Sequence, residues 1–249
     1  MSGHSKWATI KRKKAIIDQK KGKTFAKLAR QIDVAARSGG GDPATNAPLR
    51  TIIQKAKASS MTNDAIERAI KRATGEAQGT NYEAITYEAY APGGVALLID
   101  ILTDNRNRTA SDVRAIFSKG GGSMAAPGAV GWQFSRRGVI LVERIAPEDD
   151  VMNAVLEHGA DDMLDDGSVW RITCDATKVW EIKTALEAAA LPVQSAESTM
   201  VSSQTVAVTD VGVAKAILKI LDELEEHDDV QDVYSNFDIS EALLEAAAS

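Results

Sequence analysis

Between His4 and Arg30 the chain carries ten cationic side chains: Lys6, Lys11, Arg12, Lys13, Lys14, Lys20, Lys21, Lys23, Lys27 and Arg30. One acid, Asp18, stands against them. Ammonium and guanidinium groups at this density bind phosphates, with counterions released from the polyanion as the driving term. Trp7 sits among them and can either stack on an unpaired base or pack on neighbouring helices. His4 is a further candidate phosphate contact. A second cluster, Asn105-Arg106-Asn107-Arg108, alternates amide and guanidinium groups ahead of a helix. Such groups suit phosphates and base edges, and a helix N-terminus adds its own attraction for anions. Arg114 and Lys119 extend this patch along the helix, and Arg136 and Arg137 are weaker candidates.

Catalytic chemistry finds little support. His158 and His227 each lie near a helix C-terminus beside acids, where a cation is favourable for structural reasons. Cys174 is the single cysteine. It has no patterned His partner for nucleophilic work, and one thiol excludes an intrachain disulfide or a thiolate zinc cluster. Asp161, Asp162, Asp165 and Asp166 could hold a divalent cation, but their placement around Gly167 reads as a solvated hairpin. Gly39-Gly40-Gly41 lacks the Gly-Lys-Ser/Thr of a phosphate loop and reads as a helix stop. No cofactor and no metal is expected, and the chain is read as non-enzymatic.

Charge is distributed unevenly. Residues 1–75 hold 17 Lys and Arg against 5 Asp and Glu, while residues 76–249 hold 12 against 30, for a net charge of −6 over 249 residues. This asymmetry points to nucleic-acid binding by the basic part, and the acidic remainder helps to orient the molecule. With 44% apolar and 26% charged residues the composition is globular,. The longest apolar runs are strand-length, and no signal-peptide core follows the basic start. A cytoplasmic protein with no membrane partner is expected.

The elements that would position these groups follow from periodicity. Phe25, Leu28, Ala29, Ile32 and Ala36 share one helix face, and Lys23, Lys27, Arg30 and Arg37 the opposite one. A second helix begins near Pro48. A third runs from Asp64 to Ala73, with Asp64 and Glu67 as capping box and Gly75 as stop. Tyr82–Ala91 alternates as a strand, Pro92-Gly93-Gly94 turns, and Val95–Leu102 reads as a buried strand. A helix is predicted from Thr109 to Lys119, with Thr109 and Asp112 as capping box, leaving Asn105–Arg108 as a loop. Gly131–Phe134 and Val139–Val142 read as a hairpin about Arg136-Arg137-Gly138. A helix from Pro147, a hairpin about Asp165-Asp166-Gly167, a helix over Asp175–Ala190 and a strand near Val193–Ala196 follow. The chain ends with a strand (Gln204–Val208), a helix (Val211–Glu225), a strand (Val230–Tyr234) and a short helix (Glu241–Ala248).

Three times a strand ends in Thr or Cys followed by Asp: Thr103-Asp104, Cys174-Asp175 and Thr209-Asp210. Asp175 and Asp210 read as helix N-caps. The repetition predicts two related ferredoxin-like domains, with the Asn105–Arg108 loop as the extra feature of one copy.

Gly3-His4-Ser5-Lys6-Trp7, the helix Lys23–Arg37, Gly39–Pro43, Ile66–Arg72, Pro92–Val95, Thr103–Thr109 and Val233–Asp238 together resemble the YebC family. A mitochondrial member of that family is the translational activator of cytochrome oxidase subunit one. Ser123–Gly128 departs from the family's usual Asn-Leu-Gly run. The resemblance covers essentially the whole chain and implies a helical N-terminal domain followed by two α+β domains, one inserted in the other. Expected boundaries are 1–78 for the basic arm and bundle, 79–130 with 197–249 for the discontinuous α+β domain, and 131–196 for the insert. It also implies a nucleic-acid partner, either ribosomal RNA on the large subunit or duplex DNA. A duplex reader needs a recognition helix and fixed half-site spacing. No dimerisation element stands out, so a monomer acting on the ribosome is favoured. DNA-bound transcriptional regulation is the alternative, and a metal-dependent nuclease using the Asp cluster ranks far behind.

Overall fold

The computed structural model describes residues 17–75 and 81–248. Helices α1 (Ile17–Gly39), α2 (Ala47–Ala58) and α3 (Asn63–Thr74) open the chain. Leu28, Ile32 and Ala36 of α1 are buried against Leu49, Ala56, Ile66, Ala69 and Ala73, with Phe25 and Ala29 packed at the edge. Each large aliphatic side chain so buried contributes about 1.5–3 kcal/mol. Asn46 sets the turn between α1 and α2. Its Oδ1 accepts from the Leu49 N–H at 3.1 Å, and its Nδ2 donates to the carbonyls of Ala35 and Gly40. The N-cap of α3 is Thr62, whose Oγ1 accepts from the Ala65 N–H. Asp64 lies inside the first turn instead, where its charge still favours the helix dipole.

Strands β1 (Glu83–Ala91) and β2 (Val95–Thr103) form an antiparallel hairpin that sets Ala89 opposite Leu97 and Tyr87 opposite Ile99. The tight turn between them needs φ of 78° and 77° at Gly93 and Gly94, a region that β-carbons disfavour,. Helix α4 (Arg106–Gly120) and the short β3 (Ser123–Met124) follow. Next come β4 (Phe134–Glu143), α5 (Glu148–Leu156), β5 (Ala160–Asp165), β6 (Val169–Asp175), α6 (Val179–Ala188) and β7 (Val193–Ser202). The chain closes with β8 (Val206–Val208), α7 (Val211–Glu226), β9 (Val230–Ser235), β10 (Phe237–Ile239) and α8 (Glu241–Ala248).

The chain divides into two compact units. Trp132–Thr205 forms one, and the described residues before and after it form the other. In the inserted unit the antiparallel sheet runs β5-β6-β4-β7. Numbered within the unit this is 2-3-1-4, the ferredoxin-like βαββαβ arrangement. Its core gathers Ile140, Val142, Trp170, Ile172, Ile182 and Leu186.

The other unit holds an antiparallel sheet in the order β3-β1-β2-β9. The same spatial pattern appears if β2, α4 and β3 are taken as first strand, helix and second strand, and α7 and β9 as the closing pair. The third place is filled by β1, which comes from earlier in the chain. The insertion enters between β3 and β8, where a third strand would otherwise be expected. Leu97, Ile99 and Val233 of the sheet pack on Phe117 of α4 and on Ile217 and Leu221 of α7. This is the α+β architecture of a helical domain and two ferredoxin-like domains, one within the other.

Three further local expectations are corrected. Arg136-Arg137-Gly138 is not a turn but the middle of the ten-residue strand β4. A β-carbon at Gly138 would stand 2.5 Å from Cys174 Sγ and 3.0 Å from Val179 Cβ, so the glycine serves close packing,. Asp175 does not cap α6. Its Oδ1 accepts from the N–H and hydroxyl of Thr177, and the helix starts at Val179. Asp210 does cap α7, accepting from the Val213 N–H at 2.8 Å. The third correction, at Asn105–Arg108, bears on the site. No helix among the described residues is long and apolar enough to cross a membrane.

Candidate nucleic-acid interface

The amphipathic spacing of α1 turns Lys23, Lys27 and Arg30 away from the bundle core. In the structure that face meets the acidic end of α7 and the turn into β9. Lys23 Nζ donates to Glu226 Oε2 at 2.7 Å and to the Glu226 carbonyl at 3.3 Å. Lys27 Nζ donates to the Glu225 carbonyl at 2.7 Å. Arg30 Nη1 donates to the Asp228 carbonyl at 2.9 Å and to Asp229 Oδ1 at 3.2 Å, with its guanidinium 5.1 Å from the Tyr82 ring centre. From α2, Lys55 pairs with Asp232 at 2.7 Å. Arg37, the remaining cation expected on this face, instead pairs along its own helix with buried Asp33.

The two lysines titrate in opposite directions, because the acidic partners raise both and burial outweighs them at Lys27. The hydrogen bond to Glu226 raises the Lys23 ammonium above its ordinary 10.5. Burial pushes Lys27 down to about 8, although the charges of Asp232, Asp228 and Glu226 oppose it.

Asn105–Arg108 is not a loop. Asn105 is the N-cap of α4, its Oδ1 accepting from the Arg108 N–H at 3.1 Å, and Arg106, Asn107 and Arg108 form the first turn. Thr109, predicted as the cap, is fully buried inside the helix. Its hydroxyl donates to Asp229 Oδ2 at 2.7 Å and lies 2.8 Å from the Thr103 hydroxyl. Arg108 Nη2 reaches Asp229 Oδ2 at 2.8 Å and Asp104 at 2.9 Å. Arg106 pairs with Glu83 at 3.4 Å, both exposed, and Asn107 is exposed.

Asp229 is therefore where the two predicted clusters meet. Buried to 4% exposure, it accepts from Arg30 of α1, from Arg108 and Thr109 of α4, and from Thr103 at the end of β2. Burial alone would raise its pKa, but the bonds from Arg108, Thr109 and Thr103 hold the carboxyl below its ordinary 3.8. Its N–H donates to His227 Nδ1 at 3.1 Å, and His227 Nε2 faces Asp112 Oδ2 at 3.4 Å. Lys23, Arg30 and Arg108 share a polar pocket of about 500 Å³ with Asp104, Glu226 and Asp228.

Of the remaining candidates, His4, Lys6, Trp7, Lys11, Arg12, Lys13 and Lys14 lie outside the described residues. Lys20 and Lys21 fall within α1, with side chains outside the description. Arg114 and Lys119 are exposed on α4, and Lys57, Arg68 and Lys71 are exposed on the bundle. Sequence reasoning missed Asp229, Glu226, Asp228 and Asp232. Their signal was present as an acidic run over 222–232, complementary in sign to α1.

Cys174 is buried, and burial, then the charges of Asp161 and Asp175, push its thiol up to about 11. Asp161 pairs with Arg137, and Asp165 with Arg144. Among the described residues no group of three or more His, Cys, Asp or Glu could hold a metal ion.

Comparison with known proteins places this arrangement. Residues 5–76 match the TACO1/YebC protein N-terminal domain, and residues 82–237 match the TACO1/YebC second and third domain. The chain belongs to the TACO1/YebC family. Its relatives include a protein of Beutenbergia cavernae, 52% identical over 247 residues and 98% of both chains. Another, from Rubrobacter xylanophilus, is 51% identical over 250 residues and 100% of both. Each bears the name probable transcriptional regulatory protein. The crystal structure of a conserved hypothetical protein from Aquifex aeolicus superposes with a TM-score of 0.76 at 42% identity, covering 90% of this chain and 92% of that one. The TACO1/YebC N-terminal match includes the basic arm, and the second match includes both Asn105–Arg108 and the acidic run that receives α1.

Proposed function

We propose that this TACO1/YebC chain is a non-catalytic, nucleic-acid-binding regulator of gene expression whose target is ribosomal RNA on the large subunit. The observation that carries the reading is the placement of positive charge. The basic face of α1, the helix best suited by charge to lie in a duplex groove, is turned onto the acidic run at Glu225–Asp229. The cations left to make the first contact are those of the arm, through His4, Lys6, Trp7, Lys11, Arg12, Lys13 and Lys14, continued by Lys20 and Lys21. An arm with an interleaved aromatic suits irregular, partly single-stranded RNA. Arg106 and Asn107, exposed on the first turn of α4, supply a second contact.

Duplex-DNA binding is the second reading, favoured by the name that the bacterial relatives carry. A competition separates the two. Labelled protein is mixed with ribosomes and excess random duplex DNA at physiological salt, then sedimented. Retention on the large subunit, lost on deleting residues 1–22, is the expected result. Protein stripped from ribosomes by the DNA would overturn the RNA reading in favour of transcription.

A further inference from the structure

The acidic run meets α1 as a row of oxygen acceptors. Lys23, Lys27 and Arg30 rise along the helix by about 6 Å and then about 4.5 Å. Each is met in turn by Glu226, by the Glu225 carbonyl, and by Asp228 and Asp229. A chain of anionic and carbonyl oxygens following a basic helix face has the chemistry of a phosphate backbone. We propose that this run is an internal stand-in for a polyanion, masking the basic face until nucleic acid displaces it. The inference rests on the nucleic-acid reading above and adds a regulation of that site.

Exposure separates the exchangeable part of the contact from the fixed part. The side chains of Lys23 and Glu226 are 49% and 48% exposed, and those of Lys55 and Asp232 are 49% and 31% exposed. Water and salt reach both pairs, so a competing phosphate can replace either carboxylate. The Arg30–Asp229 pair is 21% and 6% exposed and is anchored to α4 through Arg108 and Thr109. Displacement therefore opens the outer pairs while Arg30 holds α1 in place. A polyanion must outcompete carboxylates already seated, which selects for dense negative charge and lowers affinity for weak polyanions.

The test uses the full chain and a labelled uridine homopolymer. The triple variant Glu226→Gln, Asp228→Asn, Asp232→Asn removes the two displaceable carboxylates and the neighbouring Asp228 charge, and leaves Asp229 intact. A control of equal charge change, Glu157→Gln, Asp162→Asn, Glu187→Gln, lies in the inserted unit at exposed positions. The unmasked variant should bind about fivefold more tightly than wild type, and the control less than about twofold. In wild type, zero-length carbodiimide coupling of Lys23 to Glu226 should fall as the homopolymer saturates. Equal binding by variant and control, or coupling undiminished at saturation, overturns the masking while the nucleic-acid reading stands. Failure of every form to bind either RNA or duplex DNA overturns both.

Discussion

Replacing Asp229 by Asn changes one atom type and tests the junction between α1 and α4. The carboxylate receives four donors, with Arg30 on Oδ1 and Arg108, Thr103 and Thr109 on Oδ2. An amide has one acceptor oxygen. Turned toward the threonines and Arg108, it keeps three contacts in weaker, neutral form and aims its own N–H at the Arg30 guanidinium. A hydrogen bond to a charged group contributes about 1.5–3 kcal/mol. Removing one partner of a buried pair costs about 3–5 kcal/mol. Arg108 is half exposed, which moderates its share, so Asp229→Asn should cost about 2–4 kcal/mol. That corresponds to a fall of roughly 5–15 °C in Tm for a unit of this size.

Two probes locate the loss. Far-UV circular dichroism is dominated by α1–α4, α7 and α8, whereas tryptophan fluorescence, recorded with Trp7 replaced by Phe in every protein compared, reads the inserted unit through Trp132, Trp170 and Trp180. The dichroism midpoint should fall. The depressed Asp229 pKa also means that its contribution is complete above 3.8 and is lost as pH falls through the lower folded value,. The acid limb of the wild-type stability curve should therefore be flatter in the variant. A dichroism midpoint within about 0.5 kcal/mol of wild type would refute Asp229 as the junction.

Glu88 accepts from the N–H groups of Gly128, Val130 and Gly131 at 2.6, 2.6 and 2.8 Å. Glu88→Gln places an amide donor among them, so these three amides should exchange hydrogen at least about tenfold faster, reflecting about 1.5–3 kcal/mol; unchanged protection would contradict this. Lys27 is pushed down to about 8 by burial, so the unfolded chain binds more protons above that pH and stability should rise from pH 8 toward 10.5,. Lys27→Met should abolish that rise and cost less than about 1 kcal/mol at pH 7 in urea unfolding, because a well-packed apolar group replaces a desolvated charge; a larger loss would overturn this. Gly138→Ala drives a methyl into Cys174 and Val179 and should lower the fluorescence midpoint by about 1–3 kcal/mol, leaving dichroism of the other unit less affected,.

The parts of the fold legible from sequence are those that local periodicity decides. The stripe Leu28, Ile32, Ala36 marks α1, the continuous apolar run marks β2, and Asp165-Asp166-Gly167 marks the hairpin between β5 and β6. Errors came where two local signals were equally good and a distant residue chose between them. Thr109 with Asp112 spells a capping box, and Asn105 is an equally good N-cap residue. What buries Thr109 inside the helix is Asp229, 120 positions away. Gly138 after two arginines reads as a turn until Cys174 and Val179 occupy the space beside it. At the candidate interface, cation spacing on α1 was legible, but its engagement by Glu226 and Asp229 depends on sequence separations near 200 that no periodicity reports.

The measurement that bears most directly on the account is the salt dependence of ribosome binding. Wild type and the variant Lys11→Ala, Arg12→Ala, Lys13→Ala, Lys14→Ala would be titrated between about 50 and about 200 mM salt. Loss of four phosphate contacts should weaken binding and flatten the slope of log K against log salt by about 3 units. An unchanged slope and affinity would remove the arm from the mechanism and contradict the central claim.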